Sequence, residues 1–290
     1  MTTAQQVTDH VLTLSCPDQP GIVFAVSQFV FEHGLTIRES HQFGDRETGG
    51  FFMRVRFGAD AGAESGGAEL QRDFTAVANR FAMSWRLTGA EEKQRLLIMV
   101  SKYGHCLNDL LYRASTGWLD VEIVAVVSNH PDLEWLVSSY DIPFHHIPLL
   151  PGRKPEAEAE LLRLVEDLDI DLVVLARYMQ ILSEDLCKNL EGRAINIHHS
   201  MLPSFKGARP YNQAHARGVK AVGATAHYVT SDLDEGPIIE QQVARVDHAM
   251  SARDVVELGR DTECLALAWA VRWHTENRIL LDGHTTVVFR

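Results

Sequence analysis

Cysteine is scarce in this chain and scattered where it occurs. Cys16, Cys106, Cys187 and Cys264 are four thiols in 290 residues, no two at metal-site spacing, and no charged-then-apolar leader precedes them. A disulfide framework and a cysteine zinc site are thereby excluded, and reduced, mostly buried thiols are expected. Long apolar runs are missing too. Nothing approaches the roughly 20 residues that a membrane helix needs, so the expected setting is the cytoplasm with no membrane partner. Basic residues are outnumbered, 27 Lys and Arg against 39 Asp and Glu, for a formal net charge of −12. General nucleic-acid binding requires a basic footprint and is excluded. The 14 histidines include no His-x-x-x-His or similar tight ligand spacing, so no metal is expected.

What is present suits a globular chain with a sizeable core: 46% hydrophobic and 23% charged residues. The length predicts roughly two domains at about 150 residues each. Residues 11–15 alternate as a strand, 17–21 form a Pro/Gly turn, and Ile22, Val23, Val26, Phe29 and Val30 recur at helical spacing. Strands at 36–43 and 51–57, a loop at 58–67, a helix at 70–81 and a strand at 83–87 complete a split βαβ, ferredoxin-like order. Residues 89–94 are charged and read as a linker. Beyond it, continuous apolar runs at 96–100, 121–127, 172–175 and 194–197 alternate with helical stretches at 107–114, 156–168 and 184–190. Such runs are strands of a mostly parallel α/β sheet covered on both faces. Strands at 224–230 and 238–246 read as an antiparallel continuation, followed by a long helix over 252–277 and a hairpin-like tail over 280–289.

Chemistry-bearing residues gather late in the chain. Asn196 and His198 stand two apart at the end of a short apolar strand, where alternate side chains point the same way. Asp234 follows, far enough on for a strand, a loop and a returning strand to bring it back, in a turn closed by Gly236-Pro237. An amide can hold a developing oxyanion, an imidazolium can stabilise it, and a carboxylate can move the proton. That set is suited to breaking or transferring an acyl group. Partial burial is expected to raise the Asp234 carboxyl toward neutrality. His227 lies on the strand leading into the same turn, placed to support Asp234 from behind, whereas Asp232 reads as a turn residue. Arg177, Met179, Ile181 and Leu182 follow a buried strand, at the edge where α/β sheets bind ligands. The apolar members could line a flat aromatic pocket. The turn at 101–110 has one glycine, so neither the dinucleotide nor the Walker pattern is met. Lys206 and Arg209 form a local basic pair, and His199 and His215 have no assigned role.

From about residue 95 to 290, the Asn196-x-His198 pair, Ser200-x-Leu202-Pro203, Thr225-x-His227 and the Leu233-Asp234-x-Gly236-Pro237 turn resemble the formyltransferase family that uses 10-formyltetrahydrofolate. Residues 8–88, chiefly the Asp18-Gln19-Pro20-Gly21-Ile22 turn, resemble an ACT domain, a small module that commonly binds amino acids. The fusion is similar to the formyltetrahydrofolate deformylase family, and the strings at 177–182 and 196–200 strengthen that likeness.

The resemblance implies an ACT regulatory domain at 1–88, a linker at 89–94 and a Rossmann-like formyltransferase domain at 95–290. It implies hydrolysis of 10-formyltetrahydrofolate to formate and tetrahydrofolate, supplying formate for purine synthesis, with transfer to a small amine as the alternative. Catalysis falls to Asp234, His198 and Asn196, with His227 behind them, and folate binding to Arg177, Met179, Ile181 and Leu182. Folate is the substrate and no cofactor or metal is implied. An amino-acid effector and a homo-oligomer are implied by the ACT resemblance. Two departures from the transformylases that act on glycinamide ribonucleotide stand out. The turn at 101–106 is bulkier than their glycine-rich phosphate turn, and Arg209 replaces a histidine. The first favours water over a phosphorylated amine as acceptor.

Overall fold

The structure is a computed structural model describing residues 9–59, 66–204 and 210–290. Lys206, Gly207 and Arg209, and most of the loop expected at 58–67, lie outside the described residues. The chain divides into two compact units, Met1–Glu92 with Glu276–Arg290, and Lys93–Thr275.

The first unit runs β1 (Asp9–Pro17), α1 (Ile22–Glu32), β2 (Thr36–Gly44), β3 (Gly50–Gly58), α2 (Gly67–Arg80) and β4 (Ser84–Gly89). Its sheet is antiparallel in the order β2-β3-β1-β4, the expected split βαβ arrangement. Gly21, at φ 97°, adopts the left-handed conformation that lets the turn enter α1. The apolar stripes of α1 and α2 (Val26, Phe29, Val30; Leu70, Phe74, Ala78) pack in one core with Leu12, Leu14, Met53 and Val55 of the sheet.

The second unit contains β5 (Gln94–Val100), α3 (His105–Ser115), β6 (Val121–Ser128), α4 (Glu134–Ser138), β7 (Phe144–His146), α5 (Lys154–Asp167) and β8 (Leu172–Leu175). It continues with α6 (Glu184–Asn189), β9 (Ala194–His198), α7 (Pro210–Ala216), β10 (Ala221–Tyr228), β11 (Ile238–Arg245) and α8 (Ala252–Thr275). Seven strands lie in the order β11-β10-β9-β8-β5-β6-β7. The five from β9 to β7 are parallel, and β10 and β11 add antiparallel strands at one edge. β5 pairs with both β6 and β8, so the strand order reverses beside it. Ligands of open α/β sheets bind at such a reversal, outside the carboxyl ends of the strands. Leu96 to Val100 and Leu172 to Leu175 are almost fully buried, as continuous apolar strands should be.

Three boundaries differ from the sequence reading. Gln94 begins β5 rather than ending a linker. Pro210 starts a short helix, α7, where the sequence reading marked none. Residues 276–290, expected in the C-terminal domain, pack into the first unit. There β12 (Ile279–Asp282) and β13 (Thr285–Val288) form a hairpin whose Leu280, with Phe289 beyond it, packs on Phe52 of β3. Arg54 of β3 is 3% exposed; it bonds Glu39 Oε2 at 2.6 Å and donates twice to the Glu276 carbonyl at 3.0–3.1 Å. Arg278 adds a bond to Glu39 at 3.0 Å; burial pushes the Glu39 carboxyl up, but the His41 hydrogen bond and the two guanidiniums outweigh it and hold it down at about 2. With helices on one face and the tail on the other, β3 is buried on both sides.

Candidate active site

Pairing across β9 and β10 assembles the centre of the site. Asn196 stands directly opposite His227, and its Nδ2 lies 3.2 Å from His227 Nε2. The other ring nitrogen of His227 lies 2.9 Å from the Tyr228 carbonyl, an acceptor, so Nδ1 carries the proton. Nε2 of the neutral ring must then accept, and Asn196 donates to it. Burial depresses the His227 pKa and keeps the ring neutral; the Tyr228 bond and the Asp234 charge oppose this without reversing it. A register irregularity between Ala226 and His227 against β11 sits at this same point of β10; bulges often re-aim side chains beside active sites.

His198 ends β9, 6% exposed, with Nδ1 3.2 Å from Asp234 Oδ1. The His227 Nε2 to Asp234 Oδ1 separation is 3.7 Å. The three sequence-predicted catalytic residues and His227 are therefore brought together. His198 Nε2 is buried with no hydrogen-bond partner among the described residues. A buried polar atom left open in this way is costly unless a ligand completes it. The turn that follows is pinned by Thr225, whose hydroxyl donates to the Ser200 carbonyl at 2.8 Å and accepts from Leu202 N–H at 3.0 Å.

Asp234 reaches the site from a left-handed backbone position, φ 58°, in the turn after β10. Gly236 permits that turn: a Cβ there would overlap the Tyr228 carbonyl oxygen. The Asp232 carbonyl accepts from Glu235 N–H at 3.2 Å, in keeping with its reading as a turn residue. The expectation that burial raises the Asp234 pKa is corrected. Burial does push it up, but the His198 hydrogen bond and the surrounding imidazoles of His198, His227 and His199 outweigh it and hold the carboxyl below its usual range. Asp234 is an anion throughout the physiological range.

A cleft of about 240 Å³ opens beside these groups. Met179, Ile181 and Leu182 line it, as the sequence suggested, and Leu233 faces them from the Asp234 turn. Met179 is 48% and Ile181 62% exposed, an apolar surface without a protein partner. Ser101 fixes this lip: its hydroxyl donates to Asn129 Oδ1 at 2.7 Å and accepts from Met179 N–H at 3.0 Å.

Arg177 borders the cleft but turns its charge elsewhere. Its backbone is left-handed, φ 68°, and its Nη1 lies 3.4 Å from Glu263 Oε2, a charge contact too oblique for a hydrogen bond. Glu263, 1% exposed, also holds His105 Nε2 at 2.7 Å and the Tyr211 hydroxyl at 2.9 Å. Burial alone would raise the Glu263 carboxyl; His105 and Arg177, with Tyr211, bring it below its usual range. His199 beside them is pushed down to about 4 by burial and by the Arg177 and His198 charges, so it is neutral.

Two family models match the chain: the formyl transferase model over residues 94–271 and the ACT domain model over residues 10–74. A formyltetrahydrofolate deformylase of Corynebacterium sp. (strain P-1) is 55% identical, covering 97% of this chain and 98% of its own. Another, of Bacillus subtilis (strain 168), is 50% identical over 96% of this chain and 93% of its own. The chain belongs to the formyltetrahydrofolate deformylase family. The crystal structure of a formyltetrahydrofolate deformylase from Burkholderia mallei superposes with a TM-score of 0.92 at 48% identity, covering 98% of this chain and all of that one. The expected pairing of an ACT domain with a mostly parallel formyltransferase sheet thus holds for this deformylase-family chain.

Sequence reasoning missed the Glu263, His105 and Tyr211 cluster. Its members come from α8, α3 and α7, and no local pattern couples them; the sole signal was a glutamate at the edge of the apolar run at 264–271 of a long helix. His105, Cys106 and Glu263 bring a ring nitrogen, a thiol and a carboxylate within 4.8 Å of one another, the one such metal-capable group among the described residues. The carboxylate and the ring already satisfy each other, and burial holds the Cys106 thiol well above its ordinary pKa. His215, also unassigned, lies 3.1 Å from the Met250 carbonyl through Nε2, a bond that ties α7 to the loop before α8.

Proposed function

We propose that this chain hydrolyses 10-formyltetrahydrofolate to formate and tetrahydrofolate, with Asn196, His198 and Asp234 at the reacting carbonyl. The observation that carries the reading is the 3.2 Å approach of His198 to Asp234, beside Asn196 and an apolar cleft, in a chain of the deformylase family. The pteridine ring lies against Met179, Ile181 and Leu182, and the formyl group is directed at Asn196 and His198.

With His198 Nδ1–H given to Asp234, Nε2 donates to the substrate only from the imidazolium form. Nε2 then meets the oxyanion as water adds to the formyl carbon. Asn196 spends one N–H on His227 and has a second for the same oxygen. Asp234 itself takes the proton of the attacking water, because the imidazolium has no free nitrogen to accept it, and that proton passes to the folate nitrogen as the C–N bond breaks. Removing one oxyanion donor typically lowers turnover on the order of 100- to 1000-fold.

Further features support the rest of the reading. The ACT unit is the place for an amino-acid effector. Phe24 and Phe31, 72% and 80% exposed on one face of α1, support self-association through that unit. Four free thiols suit the cytoplasm, and none of the described helices is long and apolar enough to cross a membrane.

The test is incubation of purified protein with 10-formyltetrahydrofolate and no amine, following tetrahydrofolate and formate. Release without acceptor is expected. Release only after a small amine is added would replace hydrolysis by transfer.

A further inference from the structure

A second cavity, of about 550 Å³, shares Arg177, Met179 and His199 with the folate cleft and is otherwise lined by groups that catalysis does not use. We infer that this cavity is a binding station for a small carboxylate, and that formate leaving the reacting centre is its occupant during turnover. The inference deepens the deformylase reading and rests on it for the identity of the occupant.

The lining is cationic in a chain of net charge −12. Arg177 and Arg260 approach the same Tyr103 ring, with guanidinium carbons 5.5 and 5.8 Å from its centroid. Glu263 is the one acid among the described lining residues, and it is already committed to His105, Tyr211 and Arg177. One carboxylate faces two guanidiniums, so the balance is positive. Arg177 is 8% exposed, and its Nε and Nη1 are buried without a hydrogen-bond partner among the described residues. Open N–H groups on a buried cation are a cost that a planar oxyanion relieves, with bidentate geometry available.

The helix α3 adds to this. His105, a lining residue, is its first residue; the preceding Gly104 provides no side-chain cap, and the first turn has no acid. A helix amino terminus open in this way favours an anion. Carboxylate and phosphate share this chemistry. The carboxylate is favoured because the reaction itself produces one in the adjoining cleft.

The electrostatics give the product a direction. Formate is formed beside Asp234, an anion that repels it, while Arg177 stands at the border with the second cavity. An ammonium approaching by the same route meets two guanidiniums, whereas water does not sense that barrier. The same charges therefore disfavour an amine acceptor.

The experiment is direct binding of carbon-13 formate, read as NMR line broadening, to the full chain and to Arg260→Gln and Arg260→Lys, at matched ionic strength. Arg260 is exposed, so folding is not at stake. Broadening by the parent, a fall of at least five-fold in Arg260→Gln and recovery in Arg260→Lys are expected. Equal broadening by the parent and Arg260→Gln would overturn the station. Displacement of formate by inorganic phosphate at ten-fold lower concentration would overturn its assignment to a carboxylate. Because no turnover is involved, failure here is distinct from failure to form formate from the folate.

Discussion

Asn196 and His227 face each other across adjacent antiparallel strands, and one hydrogen bond of 3.2 Å fixes both side chains. The bond has a single consistent polarity, because His227 gives its only proton to the Tyr228 carbonyl. Replacing His227 with Phe removes the acceptor and frees the amide to rotate. Turnover is expected to fall about ten-fold while folate binding stays within a few-fold, and Asn196→Ala to fall by about 100-fold or more. Steady-state rates together with equilibrium folate binding check both. An unchanged rate in His227→Phe would show that Asn196 is held by other means.

Asp234→Asn keeps the size of the side chain and removes its charge. Turnover is expected to drop by about 100-fold or more with folate affinity nearly kept. A variant within a few-fold of the parent would remove Asp234 from the mechanism.

The acid limb of the rate profile follows from the depressed Asp234 pKa. The carboxylate is protonated only below its ordinary value of about 3.9. Asp234 therefore contributes no change in kcat/KM between about pH 5 and 8. A break near neutrality that disappears in Asp234→Asn would contradict this assignment. The same group contributes stability that is complete above the unfolded-state value and is lost as pH falls through the folded one.

His199 gives a second pH signature, in stability. Its folded pKa is about 4, against about 6.5 for an unperturbed histidine. Between these values the unfolded chain takes up a proton that the folded chain does not, so stability falls as pH falls through that window. The expected loss is up to about 3 kcal/mol, and His199→Asn should flatten it. Chemical denaturation at a series of pH values measures the slope.

Gly236→Ala probes the Asp234 turn without removing a polar group. The added methyl must displace the Tyr228 carbonyl, which is also the acceptor of the His227 proton. A loss of turnover comparable to that of Asp234→Asn, with the cleft residues unaltered, is the expected outcome. Rates and thermal midpoints measured together separate a moved carboxylate from a general loss of fold.

The parts that were legible in the sequence were those carried by local pattern. Leu96 to Val100 announced a buried strand through its unbroken apolar run, and the Asn196-x-His198 spacing placed two polar groups on one side of another. Sequence pattern did not reveal the union of Arg177 with Glu263, because a helix and a strand end far apart in the chain meet only in the folded unit. The three-residue strand Phe144–His146 was too short to show a period. The Asp234 pKa was misjudged because burial was visible as an expectation while the three imidazoles around it were not.

The tail has a consequence for how the protein is made. Arg54 is buried against the carbonyl of Glu276, and Phe52 against Leu280 and Phe289. Glu276 lies 222 residues after Arg54, beyond the whole second unit, so a ribosome delivers these partners only after that unit. The amino-terminal unit must therefore wait, one face of its sheet uncovered, until synthesis of the catalytic unit is complete.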